Sequence, residues 1–311
     1  MDFGLWTLDF GLWTLDFGLW AFGFWTFGFD AMKILVTGGN GYLGSHVRRF
    51  FNADDFSRRS GYDILDREAI GIAADYDVVI HLAAHLDKDP AVADECFQTN
   101  VQGTANVIKS MRPGAIIIYA STKDVYGAHA ASYDEVPESC ATDYCGQSAL
   151  EWSKFLGERL LEYHARQIGV RTCIFRMSAV YARPSDGNEY GFVTHYTESV
   201  KRGHAIRLPL GGTPIRDILH VDDFSRACQA FIGSSHVYGL YNLGGGKANA
   251  ASLREIAMTV GRLIQLDPVL IDDEDGPHPV PVNYISDLTR IREQLGWQPE
   301  IGIEEGLRSL V

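Results

Sequence analysis

The sequence predicts an α/β fold, a doubly wound parallel sheet with a smaller substrate-facing region toward the C-terminus. Three observations predict it. The apolar run Lys33-Ile34-Leu35-Val36 leads directly into Thr37-Gly38-Gly39-Asn40-Gly41-Tyr42-Leu43-Gly44, which reads as strand, tight turn and helix start. Val78-Val79-Ile80 and Ala115-Ile116-Ile117-Ile118-Tyr119 are continuous apolar runs of the kind buried on both faces of a parallel sheet. Helical patterns separate these runs, and strand–helix alternation is what a parallel sheet with crossover helices requires.

The elements follow in order. Tyr42–Phe51 is expected as the first helix, Asp55–Ser57 as a short strand, and Tyr62–Leu65 as a second extended piece. Residues 67–74 look helical, and 90–111 form a long helix stopped by Pro113-Gly114. Ser148–Ile168 is a helix because Trp152, Phe155, Leu156 and Leu160 fall on one face. Arg171–Phe175 returns as a strand. From about residue 180 Pro, Gly and His become frequent and the alternation loosens.

The glycine turn points to a ligand class. Gly38 and Gly41 allow a tight turn with bare backbone amides, and Gly44 lets the helix pack closely on the strand. Such a turn aims a helix N-terminus at a pyrophosphate, where orphan N–H groups and the helix dipole both favour negative charge. The spacing is G-x-x-G-x-x-G rather than the G-x-G-x-x-G of the general dinucleotide fingerprint. At the end of the second strand stand Ser57-Arg58-Arg59-Ser60. Two guanidiniums where an acid would bind ribose hydroxyls favour a 2′-phosphate, hence NADP, with NAD also possible. Residues 32–180 are therefore expected as the dinucleotide-binding domain, and 181–311 as a substrate-binding region interleaved with it.

The chain has 311 residues, 46% hydrophobic and 22% charged, which suits a globular protein with a large core. A net charge of −13 disfavours nucleic acid and anionic membranes as partners, though a local basic pocket can still hold an anionic substrate. The cysteines at 96, 140, 145, 173 and 228 show no C-x-x-C pair and no zinc spacing, so free thiols in a reducing cytoplasm and no metal are expected. Residues 1–31 stand apart. Asp-Phe-Gly-Leu-Trp-Thr-Leu occurs at 2–8 and again at 9–15, and four of the six tryptophans fall in this stretch. It lacks Lys and Arg, its acids recur at Asp2, Asp9 and Asp16, and a repeat of odd length makes a poor strand. The expectation is that Met32 is the physiological start and that 1–31 is translated upstream repeat, disordered or not native.

With these residues in view, the chain resembles the extended short-chain dehydrogenase/reductase family, in its NAD-dependent epimerase/dehydratase group acting on nucleotide sugars. The resemblance covers 32–311 and rests on motifs in order. They include Thr37-Gly38-x-x-Gly41-x-x-Gly44, Asp63-Ile64, His81-Leu82-Ala83-Ala84, Asn100-x-x-Gly103-Thr104 and Ser121-Thr122-x-x-Val125-Tyr126-Gly127. Ser153-Lys154, Arg216–Asp223, Asn242–Gly246 and Leu295-Gly296-Trp297-x-Pro299 complete the set. Residues 164–181 and 215–253 resemble the CDP-paratose/tyvelose 2-epimerase branch.

The resemblance implies a Rossmann fold and a set of roles. Gly38, Asn40, Gly41, Tyr42 and Leu43 would hold the dinucleotide at the turn, with Ser57, Arg58 and Arg59 at its adenosine end. Asp63 and Ile64 would meet the adenine, Leu82, Ala83 and Ala84 would line the cofactor by backbone, and Asn100 would sit near the nicotinamide. Thr122 would hydrogen-bond the sugar hydroxyl, Lys154 would hold the nicotinamide ribose, and Arg216 would grip the substrate diphosphate. A homodimer through helices 90–111 and 148–168 is also implied.

The pattern breaks at one position. The family's chemistry needs a tyrosine four residues before the lysine, on the same helical face, and here that residue is Leu150. Glu151 beside it reads as a surface charge, and the nearest phenol in sequence, Tyr144, lies on the loop entering the helix. Ala179 replaces a substrate-contacting Asn, the second diphosphate-binding Arg is absent near His278, and Lys123-Asp124 replaces the dehydratase Asp-Glu pair. The sequence leaves two functions open: an epimerase or ketoreductase using Thr122, Lys154 and Tyr144 or water, and a non-catalytic NADP(H)-binding sensor, scaffold or regulatory subunit.

Overall fold

The computed structural model describes residues 32–184, 191–274 and 280–311, so the expectations for 1–31 and for His278 lie outside the described residues. The elements below belong to the unit Lys33–Val311. In chain order they begin with β1 (Ile34–Thr37), α1 (Tyr42–Phe51), β2 (Asp54–Phe56), β3 (Val78–His81), α2 (Ala93–Phe97) and α3 (Thr104–Ser110). Then come β4 (Ile116–Thr122), α4 (Ala149–Ile168), β5 (Arg171–Met177), β6 (Ala179–Tyr181), α5 (Phe192–Arg202) and β7 (Ile206–Pro209). β8 (Ile215–His220), α6 (Val221–Gly233), β9 (Tyr238–Leu243), β10 (Ala250–Ser252), α7 (Leu253–Ile264) and β11 (Leu270–Asp273) follow, and α8 (Thr289–Leu295) and α9 (Ile303–Arg308) close the chain.

Six strands form one parallel sheet in the order β2-β1-β3-β4-β5-β9. The order reverses at β1, the switch point where a doubly wound sheet opens a crevice at its strands' carboxyl ends. Side chains of period two separate the faces. Leu35, Val79, Ile117 and Ile174 share a core with Val107, Ile108 and Leu161 of α3 and α4. Phe175 meets Phe224 of α6 edge to face, centroids 6.2 Å apart. A second core gathers Tyr181, Val193, Ile206, Ile218, Ile256 and Leu307, beneath the small sheets β10-β8-β6 and β11-β7.

Three local expectations change. Tyr62–Leu65 is a turn and not a strand: Tyr62 N bonds back to Ser57 O at 3.0 Å, and the Asp63 carboxylate accepts from its own Leu65 N at 2.9 Å. An Asx turn of this kind satisfies the backbone locally and removes it from a ladder. The helix expected over 90–111 is broken by a wide π turn at Gln98–Gly103 between α2 and α3. Ile64 packs there, where a Cβ on Gly103 would come within 2.5 Å of Ile64 Cδ1. Glu151 is not a surface charge. It is buried, accepts from Ser148 N at 2.7 Å in a capping box at the start of α4, and pairs with Lys88 Nζ at 2.6 Å.

Candidate active site

The carboxyl ends of β1, β3, β4 and β5 open into a cavity of about 600 Å³, a volume in the usual range of small-molecule sites. At its switch-point end lies the glycine turn. Gly38 has φ +71°, and a Cβ there would stand 2.9 Å from Ala83 N. A Cβ on Gly44 would stand 2.1 Å from Gly38 O, so α1 lies directly on the turn. Among the described residues no side chain caps α1 at Gly41, no acid occupies its first turn, and Arg48 and Arg49 stand in its last. The positive end of the helix is therefore uncovered, and the cradle fits a pyrophosphate.

Ser57, Arg58 and Arg59 line the next stretch of wall, with Asp63 and Ile64. Arg58 Nε lies 2.9 Å from Asp63 Oδ2 across an exposed pair. The nearby acid Asp55 does not line the cavity: its Oδ2 accepts from Asn40 Nδ2 at 2.9 Å and from Ser57 Oγ at 2.8 Å. Asn40 also donates to Ser60 Oγ at 2.7 Å, so it braces the turn against β2 and does not itself line the cavity.

The other end is built by β4, α4 and β5. Leu82, Ala83, Ala84, Thr122, Leu150 and Lys154 all face it. Leu150 and Lys154 lie one helical turn apart, as the i, i+4 spacing requires. Lys154 is buried, donates from Nζ to Ala120 O at 2.8 Å, and lies 4.9 Å over the Tyr119 ring. Burial pushes its pKa down to about 8, with the Glu158 charge opposing. Thr122 Oγ1 accepts from Asp124 N at 3.1 Å. Below them Arg176 Nη2 meets Glu158 Oε2 at 2.7 Å in a buried ion pair.

Comparison with known proteins agrees with this geometry. Residues 34–244 match the NAD dependent epimerase/dehydratase family. The chain belongs to that family. Among curated relatives, CDP-paratose 2-epimerase of Salmonella typhi is 25% identical over 340 residues, covering 90% of this chain and 98% of the relative. Among solved structures, the UDP-glucose 4-epimerase of Thermotoga maritima with UDP-glucose aligns at TM-score 0.76 and 25% identity, over 90% of this chain and 97% of that one. RMD from Pseudomonas aeruginosa, complexed with NADPH, shares the fold at TM-score 0.77 and 20% identity, over 90% and 97%.

Besides Asn40, three residues expected at the epimerase/dehydratase site stand outside the cavity wall. Asn100 braces the chain after β3: it accepts from His85 N at 2.8 Å and donates to His85 O at 2.9 Å and Ser153 Oγ at 2.8 Å. Tyr144 is 67% exposed and stacks on Trp152 with centroids 6.2 Å apart. Arg216 donates to Ile215 O at 2.7 Å, Val282 O at 2.6 Å and Pro281 O at 2.9 Å, so three backbone carbonyls hold its guanidinium. Tyr42 does line the cavity, and its hydroxyl is bonded to Ala182 N at 2.7 Å and Thr194 Oγ1 at 2.7 Å, which ties the turn to α5.

Sequence reading missed the Glu158–Arg176 pair and the ion pairs of Lys88 with Asp124 and Glu151. One signal was available: Leu150, Lys154 and Glu158 follow at intervals of four on α4. Among the described residues no group of three or more His, Cys, Asp or Glu could hold a metal, and no helix is long and apolar enough to cross a membrane.

Proposed function

We propose that the protein binds a nicotinamide dinucleotide, NADP in preference to NAD, and acts as an epimerase or ketoreductase at a carbon of a nucleotide sugar. The observation that carries the reading is one cavity holding an uncapped glycine turn at one end and Thr122 with Lys154 at the other. A bound nicotinamide supplies a hydride acceptor or donor. The chain supplies the rest. Amides of the turn receive the pyrophosphate, and Arg58 and Arg59 meet the 2′-phosphate. Lys154 holds the ribose hydroxyls, and Thr122 bonds the sugar hydroxyl that reacts. Two of the proteins named above, the CDP-paratose 2-epimerase and the UDP-glucose 4-epimerase, carry nucleotide-sugar names, which supports that substrate class.

Leu150 favours a second reading, a protein that holds NADP(H) and has lost turnover. Both are tested together. NADPH and NADH are titrated by fluorescence, and the protein is then incubated with NADP⁺ or NAD⁺ and UDP-glucose, dTDP-glucose or UDP-glucuronic acid while nicotinamide absorbance and sugar products are followed. Product formation supports the first reading. Tight binding without turnover supports the second, and failure to bind either dinucleotide overturns both.

A further inference from the structure

Chemistry at a carbinol carbon needs a group that removes or returns the hydroxyl proton. Leu150, the residue one turn before Lys154, is 8% exposed and faces the cavity with a side chain that carries no exchangeable proton. Tyr144 lies on Trp152 and does not line the wall. The other ionisable groups of the wall are placed elsewhere. Arg58, Arg59, Tyr62 and Asp63 belong to the β2 end, and the Tyr42 hydroxyl is held by Ala182 and Thr194. Among the described residues, Lys154 is the one ionisable side chain at the end formed by β4, α4 and β5.

We propose that the Lys154 ε-amine is itself the group that exchanges the proton of the reacting sugar hydroxyl. The inference rests on the nucleotide-sugar reading above and assigns a residue to its proton step. In the oxidising direction the O–H bond breaks and its proton passes to the Nζ lone pair. The C–H bond breaks, its electron pair leaves as hydride to the nicotinamide nucleotide, and the C–O bond becomes a carbonyl. The reducing direction returns both. Thr122 stands at the same end to hold the hydroxyl in place.

The surroundings suit an amine in this role. Among the described residues Nζ has one acceptor, Ala120 O at 2.8 Å, and Leu150 adds apolar surface to the same wall. The charged and titratable groups facing it come from four elements. Glu158 on α4 opposes deprotonation, but its carboxylate is shared with Arg176 of β5 at 2.7 Å. His81 of β3 and Tyr119 of β4 are fully buried, and burial keeps both neutral near pH 7. With its pKa lowered to about 8, the amine is half deprotonated near that pH, close to where a general base works best.

The test uses the full chain. With lysine labelled at Cε, the Lys154 resonance is assigned by its loss in Lys154→Arg and titrated without added nucleotide; a midpoint near 8 is expected. A midpoint near the ordinary lysine value of about 10.4 overturns the proposal. Turnover of UDP-glucose and dTDP-glucose with NADP⁺ is expected to rise through that midpoint and to fall about a hundredfold or more in Lys154→Arg. Leu150→Tyr separates the two ideas. If wild type turns over and Lys154→Arg keeps that turnover across pH, the lysine role fails while the reaction reading stands; if wild type is inactive and Leu150→Tyr turns over, the lysine role fails and the reading without turnover is the one supported. If neither turns over, the reaction reading fails and the lysine role falls with it.

Discussion

Arg176 of β5 grips Glu158 of α4 from inside the fold, Nε to Oε1 at 3.0 Å and Nη2 to Oε2 at 2.7 Å, with both side chains almost wholly buried. The pair ties the sheet to the helix that carries Lys154, and Ser121 Oγ donates to the same carboxylate. Desolvation offsets most of the attraction, so the intact pair adds little net stability, whereas removing one partner strands a buried charge. Arg176→Met is expected to lower the unfolding free energy by about 3–5 kcal/mol. Arg176→Met with Glu158→Leu should recover much of that loss. Urea unfolding measures both, and a double variant less stable than the single one would contradict the account.

Gly44 makes a sharper steric statement. A Cβ there would lie 2.1 Å from Gly38 O and 2.8 Å from Gly39 Cα, both backbone atoms that cannot rotate away. Gly44→Ala must push α1 off the turn. Overpacking of this kind costs about 1–3 kcal/mol, and NADPH affinity should fall at least about tenfold as the amides move. Gly71 provides the control: it has open space and no left-handed φ, so Gly71→Ala should leave binding unchanged and raise stability by about 0.4–1 kcal/mol.

How much of this was legible in the sequence depends on the range of each interaction. The α/β architecture was legible because β1, β3 and β4 are buried on both faces and carry unbroken apolar runs. The bounds of α1 follow from the glycine turn before it and the left-handed Asn52 after it, both local signals. Tyr62–Leu65 misled because an Asx turn and a strand share the same short polar–apolar pattern, and the Asp63 side chain decided between them. Glu151 misled although Ser148-x-x-Glu151 is a readable capping box, because its second partner, Lys88, comes from another element. Asn100 and Arg216 show the same limit: their hydrogen bonds run to His85, Ser153, Pro281 and Val282, partners no local spacing reveals.

On the NADP reading proposed above, cofactor choice would turn on Arg58. Its pair with Asp63 is exposed, 60% and 37%, and surface pairs of this kind contribute little, so the guanidinium can be drawn to a stronger anion. A charge-assisted bond to a 2′-phosphate is worth about 1.5–3 kcal/mol. Arg58→Ala should therefore weaken NADPH binding about tenfold or more and change NADH binding little. Titration of both nucleotides decides it, and equal losses would remove the case for NADP.

Stability against acid should be set in part by His81. Its Nδ1 lies 2.6 Å from Thr37 Oγ1 and its Nε2 2.9 Å from Thr104 Oγ1. Thr104 donates its own hydrogen to Asn100 O at 2.6 Å, so Nε2 carries the ring proton and Nδ1 accepts from Thr37. Protonating Nδ1 would force the Thr37 hydroxyl to turn, and that oxygen also accepts from Ala83 N at 3.3 Å, in the floor of the cavity. Burial, with Lys154 adding, pushes the imidazole down to about 3 from its ordinary 6.5. Between those values the unfolded chain binds the proton and the folded chain does not, so stability rises with pH across the window and is lost as pH falls below about 6.5. The slope from this one group approaches about 1.4 kcal/mol per pH unit. His81→Gln should flatten the curve of unfolding free energy between about pH 6.5 and 4.5 by that amount. Parallel curves for the two proteins would show that other groups set the acid limit.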